Sequence, residues 1–213
     1  MREADVRKAV DSKELRSFRL DGESKILHEF CLCQGDVRID IAVVNGHLHG
    51  YELKSDSDTL ERLPHQIKAY DKVLDFTTLV VGEKHLNEAV EIIPDWWGIV
   101  RAKEVNGRTY TKVIRQAKEN PHVDLFSLAQ LLWRREALLT LEAHGLDKGM
   151  KSKPRKELWE KLARHFTRKE LSHIVRNAIK HRPDRTTVKP LRRNDDSFRP
   201  LPKLFDSQSY KHA

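Results

Sequence analysis

Residues 37–54 have the sequence VRIDIAVVNGHLHGYELK, and this stretch decides the fold class. Apolar residues recur on both sides of the dipeptide Asn45-Gly46, which is the strongest short-range signal for a β-hairpin with a two-residue turn. A turn of that length pairs Val44 with His47 across the hairpin. We therefore predict two antiparallel strands in this register.

The sequence on either side of the hairpin extends it into a mixed sheet. Apolar runs bounded by turn residues predict strands, and apolar residues at helical spacing predict helices. The predicted elements are a helix over residues 2–18, strands over 26–33, 37–44 and 47–54, a helix over 58–74, a strand over 76–81, a helix over 84–93 and a strand over 97–102. Because helices separate the later strands, the order α-β-β-β-α-β-α-β predicts an α/β fold, a mixed β-sheet flanked by helices.

From residue 124 onward the pattern changes to helices alone. The last of these is predicted to begin at Thr167, a favourable N-cap residue with Glu170 at the capping-box position. Residues 183–213 hold four of the eight prolines and little periodicity, which predicts an extended or disordered tail. The predicted division is a core over residues 1–115, a basic helical region over 124–182 and a tail over 183–213.

The net charge of +8 is concentrated in the C-terminal part of the chain. Residues 134–193 hold 18 Lys and Arg against 7 Asp and Glu, whereas the first 133 residues hold 19 against 22. A basic region binds polyanions by releasing their counterions, so we predict nucleic acid as the partner. No run approaches the roughly 18 apolar residues of a membrane-spanning helix. The charged N-terminus shows no apolar signal segment, which predicts a cytoplasmic location.

The cysteines and most tryptophans are assigned to the core. Cys31 and Cys33 are too few for a structural zinc site and are predicted to be reduced core residues. Trp96, Trp97 and Trp133 are likewise predicted to be core residues rather than platforms for stacked bases. The sequence does not indicate an oligomeric state.

Two acidic residues and a lysine on the hairpin form the candidate chemical site. Glu52 and Lys54 are two apart on one strand and share a face, while Asp40 lies on the partner strand. A two-residue turn places Asp40 opposite Tyr51, so a longer turn or a bulge is needed to bring it beside Glu52. Asp40, Glu52 and the backbone carbonyl of Leu53 supply the hard oxygen ligands that Mg²⁺ or Mn²⁺ prefers. Lys54 is placed to orient a water molecule and to stabilise developing negative charge.

These residues resemble a known motif. Asp40, followed after a short hairpin by Glu52-Leu53-Lys54, resembles the signature of the PD-(D/E)xK nuclease superfamily, with Ile39 in place of the proline. The predicted order of elements is similar to the restriction-endonuclease-like core of that superfamily. Gln66 and Tyr70 resemble the Gln-x-x-x-Tyr motif of its exonuclease-like branch.

The resemblance implies roles for residues outside the hairpin. Gln66 and Tyr70 are expected to lie beside the active site on one face of the following helix, together with Arg62 four residues earlier. Arg62 is expected to meet a substrate phosphate, and Arg38 is a further candidate for that role. Glu29 either ligates the metal or pairs with Arg38.

The resemblance implies a Mg²⁺-dependent phosphodiesterase, a nuclease that hydrolyses nucleic acid, DNA in preference to RNA, in DNA repair or phage defence. The expected catalytic residues are Asp40, Glu52, Lys54, Gln66 and Tyr70. Two alternatives remain open at this point. One is a catalytically silent nucleic-acid-binding or repair accessory module on a nuclease-like fold. The other is an interaction protein whose basic part meets an acidic partner.

Overall fold

The computed structural model of this protein describes residues 1–183, which form an α/β fold. The strands of its six-stranded mixed sheet are β1 (Lys25–Leu32), β2 (Val37–Val44), β3 (Leu48–Lys54), β4 (Phe76–Gly82), β5 (Gly98–Val105) and β6 (Arg108–Arg115). The helices before and between them are α1 (Glu3–Ser12), α2 (Arg16–Leu20), α3 (Leu63–Tyr70) and α4 (Leu86–Ile92). The C-terminal helices are α5 (Leu125–Ala129), α6 (Arg134–Ala143), α7 (Arg155–His165) and α8 (Arg168–His181). The predicted fold class is confirmed.

The strands follow one another across the sheet in chain order. β1, β2 and β3 are antiparallel, β3, β4 and β5 are parallel, and β6 returns antiparallel to β5. The parallel pairs are those that α3 and α4 connect, because a parallel neighbour requires a crossover while a short turn gives an antiparallel one. The sheet is therefore mixed, as the element order predicts.

The register of the β2–β3 hairpin differs from the predicted one by one residue. Val44 pairs with Leu48 and Ile41 with Tyr51, so the turn contains three residues and the predicted pair of Val44 with His47 is wrong. The side chain of Asn45 accepts the backbone N–H of His47 at 3.0 Å and stabilises this longer turn. In this register, residue 40 comes opposite residue 52.

The side-chain alternation of β1 and β2 breaks where Glu29 lies beside Asp40. The strand pairing passes from His28–Ile41 to Phe30–Ile39, and Glu29 has a left-handed φ of 54°. Ile39 consequently packs with α3 on one face of the sheet, whereas Ile41 packs with α1 on the other. An irregularity of this kind changes the direction in which side chains point. Here it affects the carboxylates of Glu29 and Asp40.

The C-terminal helices pack on the same face of the sheet as α3. Leu171 and Ile174 of α8 belong to one continuous apolar cluster with Tyr70 and Leu74. Asp75 connects the sheet to α8, because its carboxylate accepts the backbone N–H of Leu48 at 2.8 Å and lies 3.4 Å from the guanidinium of Arg176. The basic helical region is thus joined to the core by both apolar and polar contacts.

Helix boundaries differ from the predicted ones at capping residues. The helical pattern that follows residue 124 begins with two helices, α5 and α6, because Trp133 is the N-cap of α6 and its backbone N–H is accepted by Glu136 at 2.7 Å. The predicted helix over residues 2–18 is also interrupted, between α1 and α2. The Thr167 N-cap with Glu170 is confirmed. The predicted tail falls, from residue 184 on, outside the described residues.

Two further expectations concern the burial of the two cysteines and membrane-spanning helices. Cys31 is exposed, so the prediction that it is a core residue is wrong, whereas Cys33 is half-buried and packs against the apolar cluster that includes α3. Both thiols are free. Across residues 1–183, each helix is too short or too polar to cross a membrane.

Candidate functional site around Asp40 and Glu52

A buried carboxylate network forms the centre of the site. Glu52 is 2% exposed, and its Oε1 accepts hydrogen bonds from Lys54 Nζ and Gln66 Nε2, both at 2.7 Å. Its Oε2 accepts the hydroxyl of Tyr70 at 2.7 Å. The period of two along β3 brings Lys54 to Glu52, and the four-residue spacing on α3 brings Gln66 and Tyr70 to the same carboxylate. The structure therefore brings four of the five predicted catalytic residues into direct contact.

Tyr70 acts as a hydrogen-bond donor in this network. Its hydroxyl lies 2.7 Å from Glu52 Oε2 and 3.0 Å from the carbonyl of Arg38, and it accepts from Gln66 Nε2 at 3.2 Å. Burial, and then the charge of Glu52, raise the pKa of Tyr70 well above its ordinary value. The phenol consequently keeps its proton at any physiological pH.

The side-chain oxygen of Gln66 differs from the other polar atoms of this network in its hydrogen bonding. Gln66 Oε1 is buried and has no hydrogen-bond partner among the described residues. The amide orientation is fixed by Glu52, because rotating the amide would turn an oxygen toward the carboxylate. A buried acceptor without a partner is unfavourable, so this atom marks a place where residues 1–183 do not satisfy the site by themselves.

Asp40 lies at the edge of this network. Its Oδ2 accepts the backbone N–H of Leu53 at 2.7 Å, immediately beyond the last paired residues of the β2–β3 ladder. Burial, and then the negative charge of Glu52, raise the pKa of Asp40 to about 7. Asp40 therefore exchanges a proton near neutral pH, unlike an ordinary aspartate.

A guanidinium group from α1 lies against Asp40 on the side away from α3. Arg7 Nη2 is 2.8 Å from Glu3, 2.9 Å from Glu29 and 3.3 Å from Asp40, and Arg7 Nη1 donates to the backbone carbonyl of Asp40. Arg38 Nε lies 2.6 Å from the other oxygen of Glu29. Of the two roles expected for Glu29, the structure displays the pairing with Arg38.

The carboxylates that lie close enough to share a metal include Asp40 and Glu29 of the predicted ligands, together with Glu3. Oxygens of Glu3, Glu29 and Asp40 all lie within 4.8 Å of one another. Both oxygens of Glu52 instead accept hydrogen bonds from protein donors, and Leu53 meets Asp40 through its N–H. The three carboxylates supply the hard oxygen ligands that suit Mg²⁺. In this structure the guanidinium of Arg7 lies between them and pairs with all three.

Arg62 lies at the start of α3 and does not contribute to the hydrogen bonds to Glu52. It is the N-cap residue and is exposed, whereas Gln66 and Tyr70 lie inside the helix and face Glu52. The carbonyl of Arg62 accepts the backbone N–H of Gln66 at 3.0 Å, so the helical spacing is kept, but the exposed side chain of Arg62 lies outside the hydrogen bonds to Glu52. Glu3 and Arg7 were missed at the sequence level, although their four-residue spacing on the first helix was a usable signal.

Comparison with known proteins gives a family for the chain. The family model described as "Bacteriophage P4 protein cII" matches residues 1–198. "Protein cII" of Enterobacteria phage P4 is 24% identical over 160 residues, which cover 75% of this chain and 60% of that protein. The chain thus spans about three fifths of the length of this curated relative. No solved structure gives a significant match.

These matches correct the assignment made from the hairpin motif. The expected membership of the PD-(D/E)xK superfamily is wrong, and so are the nuclease activity, the roles in repair or defence and the silent nuclease-like module that depended on it. That the chain is an enzyme, uses Mg²⁺ or Mn²⁺ and has nucleic acid as its partner stay predictions. Because the match covers nearly the whole chain, this protein belongs to the bacteriophage P4 protein cII family.

Proposed function

We propose that this protein binds nucleic acid, DNA in preference to RNA, through residues 134–183, which run from the start of α6 to the last residue that the structure describes. This region holds 14 Lys and Arg against 6 Asp and Glu, a net charge of +8. The observation that carries the proposal is the distribution of these charges over the surface. Of the residues there that are exposed, nine are basic and two, Glu142 and Glu170, are acidic.

The remaining acids of the region are engaged within the fold. Glu136 is buried, accepts the N–H of Trp133 at 2.7 Å and pairs with Arg182. Glu157 pairs with Lys153 at 3.0 Å. Because Glu136 is buried against Arg182 and Glu157 is paired with Lys153, while nine basic side chains are exposed, the exposed surface of this region is predominantly basic. A polyanion would gain affinity there by releasing counterions.

Salt-dependent binding of labelled DNA tests the proposal. The logarithm of the association constant should fall linearly with the logarithm of salt concentration, with a slope of about −0.9 for each phosphate neutralised. The triple variant Lys148→Gln, Lys151→Gln, Lys153→Gln should weaken binding to all sequences. It should also make the slope shallower by about 1 for each phosphate that the protein no longer neutralises. Binding that is absent, or that does not respond to salt, contradicts the proposal.

A matched control separates the helical region from charge in general. Lys8, Lys112 and Lys118 are exposed lysines of the preceding part of the chain. Their triple change to Gln removes the same charge, but from a part of the chain outside residues 134–183. We therefore expect it to lower affinity only slightly and to leave the slope unchanged. Equal effects of the two triples would show that the charge acts as a whole rather than at the helical region.

A second candidate function is divalent-cation binding by the acidic group of Glu3, Glu29 and Asp40. The proximity of their three carboxylate oxygens, all within 4.8 Å of one another, favours this function. We propose Mg²⁺, or Mn²⁺, as the cation, since hard oxygen ligands suit these ions. When bound, such an ion supplies positive charge that can neutralise a phosphate.

We further propose that the protein acts in the cytoplasm. The free thiols of Cys31 and Cys33 support this location, because thiols persist in a reducing compartment. Recovery of the protein with both thiols alkylated after rapid trapping in cells would agree with it, whereas an oxidised pair would not.

A further inference from the structure

Trp133 differs from the other tryptophans of the chain in its exposure. Trp96, Trp97 and Trp159 are buried, whereas Trp133 is 56% exposed. The prediction that Trp133 is a core residue is therefore wrong, because it lies at the N-cap of α6, where the chain enters a helix at the surface. An exposed indole offers a partner a large apolar face and a polar N–H, the combination for which tryptophan is enriched at interfaces.

The indole is held in place by a network of charged groups beneath it. The guanidinium of Arg182 lies 4.3 Å from the ring centroid of Trp133. Arg182 is itself fixed by both oxygens of Glu136, at 2.8 Å and 2.5 Å, and by the carbonyl of Leu131 at 2.6 Å. One ring face is thus packed on a cation that cannot move freely. The exposed part of the indole is therefore the opposite face and the edges of the ring.

Basic residues adjoin this indole along the chain and in space. Arg134 and Arg135 follow Trp133 directly and are exposed. Arg134 Nη2 donates to the carbonyls of Lys151 at 2.6 Å and Lys153 at 3.3 Å. These bonds bring the segment 148–156, which holds five Lys and Arg and no acidic residue, to the start of α6.

We propose that Trp133 stacks on an unpaired base of single-stranded nucleic acid whose phosphates contact the segment 148–156. This inference rests on the proposed function and names the form of nucleic acid that it would take. A flat aromatic face beside a row of cations is the combination that binds single strands, because every base has a π-face and every nucleotide a phosphate. A duplex offers its phosphates but keeps its bases stacked inside, so the indole favours the single strand.

The fluorescence of Trp133 provides a direct test. A thymidine oligonucleotide should quench the emission of the exposed indole, and an abasic oligonucleotide of equal length should bind more weakly and quench less. Removing one base–aromatic stacking interaction lowers affinity by about tenfold to a hundredfold. We therefore expect Trp133→Leu to lower affinity by that factor for the thymidine oligonucleotide only, and Trp133→Phe to retain most of the affinity.

A matched control tests whether any exposed aromatic residue has this effect. Tyr110 on β6 is 55% exposed, so Tyr110→Leu should leave both affinities unchanged. If Trp133→Leu does not fold, the abasic comparison in the unchanged protein and the Phe variant still decide the matter.

The outcomes separate the two proposals. Equal affinity for the thymidine and abasic oligonucleotides, or a preference for duplex that Trp133→Leu leaves intact, overturns the stacking role while nucleic-acid binding stands. Absence of salt-dependent binding to every nucleic acid overturns both. Base-dependent binding that Trp133→Leu abolishes supports both.

Discussion

The ammonium group of Lys54 lies 2.7 Å from the carboxylate of Glu52, and both side chains are almost wholly buried. Two opposite charges removed from water in this way gain little over a well-packed apolar pair, because desolvation offsets their attraction. The pair becomes important when one partner is removed, since the other is then left as an uncompensated buried charge. The additional donors from Gln66 and Tyr70 satisfy the remaining acceptors of Glu52.

Replacing one partner of this pair should destabilise the protein strongly. We expect Lys54→Met to lower the free energy of unfolding by about 3–5 kcal/mol, because Glu52 would be left charged and buried. The double variant Lys54→Met, Glu52→Gln should recover part of that loss. Urea denaturation of the three proteins measures the difference.

An exposed ion pair provides the control for Lys54. Lys153 and Glu157 lie 3.0 Å apart at the surface, so Lys153→Met should change the free energy of unfolding by no more than about 0.5 kcal/mol. A loss in Lys54→Met as small as this would show that the Glu52 network does not stabilise the fold.

The hydroxyl of Tyr70 should contribute separately. Tyr70→Phe removes the donor to Glu52 Oε2 while keeping the ring, so we expect the free energy of unfolding to fall by about 2 kcal/mol. Thermal unfolding followed by circular dichroism measures it. Tyr110→Phe, at an exposed residue, should have almost no effect. Equal stability of the two variants would contradict the assigned hydrogen bond.

The arrangement around Glu52 was largely accessible from the sequence. Side-chain alternation placed Lys54 beside Glu52, and helical spacing placed Gln66 and Tyr70 on one face. The turn length was not accessible in the same way, because Asn-Gly suits both two-residue and three-residue turns. The choice depends on the contact between the Asn45 side chain and His47.

The Arg7 cluster and the family could not be obtained by the same reasoning. Arg7 meets Glu29 and Asp40 only through tertiary packing across 22 and 33 residues of chain, which no local pattern encodes. The triplet Glu52-Leu53-Lys54 is short, and acid-x-Lys triplets also occur at Asp11 and Glu23. A motif of this size identifies local geometry better than ancestry.

Stability should depend on pH through Asp40. Its pKa is about 7 in the folded protein and near 3.8 ordinarily, so the folded state binds this proton more tightly than the unfolded chain. The contribution of Asp40 to stability is therefore fully present below about pH 4, and it is lost as the pH rises to about 7. Asp40→Asn removes this dependence and keeps an acceptor for the N–H of Leu53.

Urea denaturation between pH 5 and pH 8, with a chelator present, measures this effect. The free energy of unfolding of Asp40→Asn minus that of the unchanged protein should increase up to about pH 7 and then level off. Glu91→Gln, which changes an exposed carboxylate, should give no such trend. A difference that is constant with pH would contradict a raised pKa of Asp40.

Arg7 should compete with a divalent cation for the acidic group. Its guanidinium lies within 3.3 Å of carboxylate oxygens from Glu3, Glu29 and Asp40, so any metal must displace it. We expect Arg7→Gln to bind Mn²⁺ and Mg²⁺ more tightly than the unchanged protein, because the positive charge that neutralises the three carboxylates is gone. Glu29→Gln should bind more weakly, since it removes one ligand.

Isothermal titration with Mn²⁺ and Mg²⁺ measures these affinities, and thermal unfolding provides a second readout. A cation at a hundred times its dissociation constant stabilises the folded state by about 2.7 kcal/mol, so Arg7→Gln should gain more stability from added metal than the unchanged protein does. Glu91→Gln should titrate like the unchanged protein. Saturable binding that is missing from both the unchanged protein and Arg7→Gln would leave the acidic group as a purely structural partner of Arg7, because its three carboxylates would then serve only to hold α1 on the sheet.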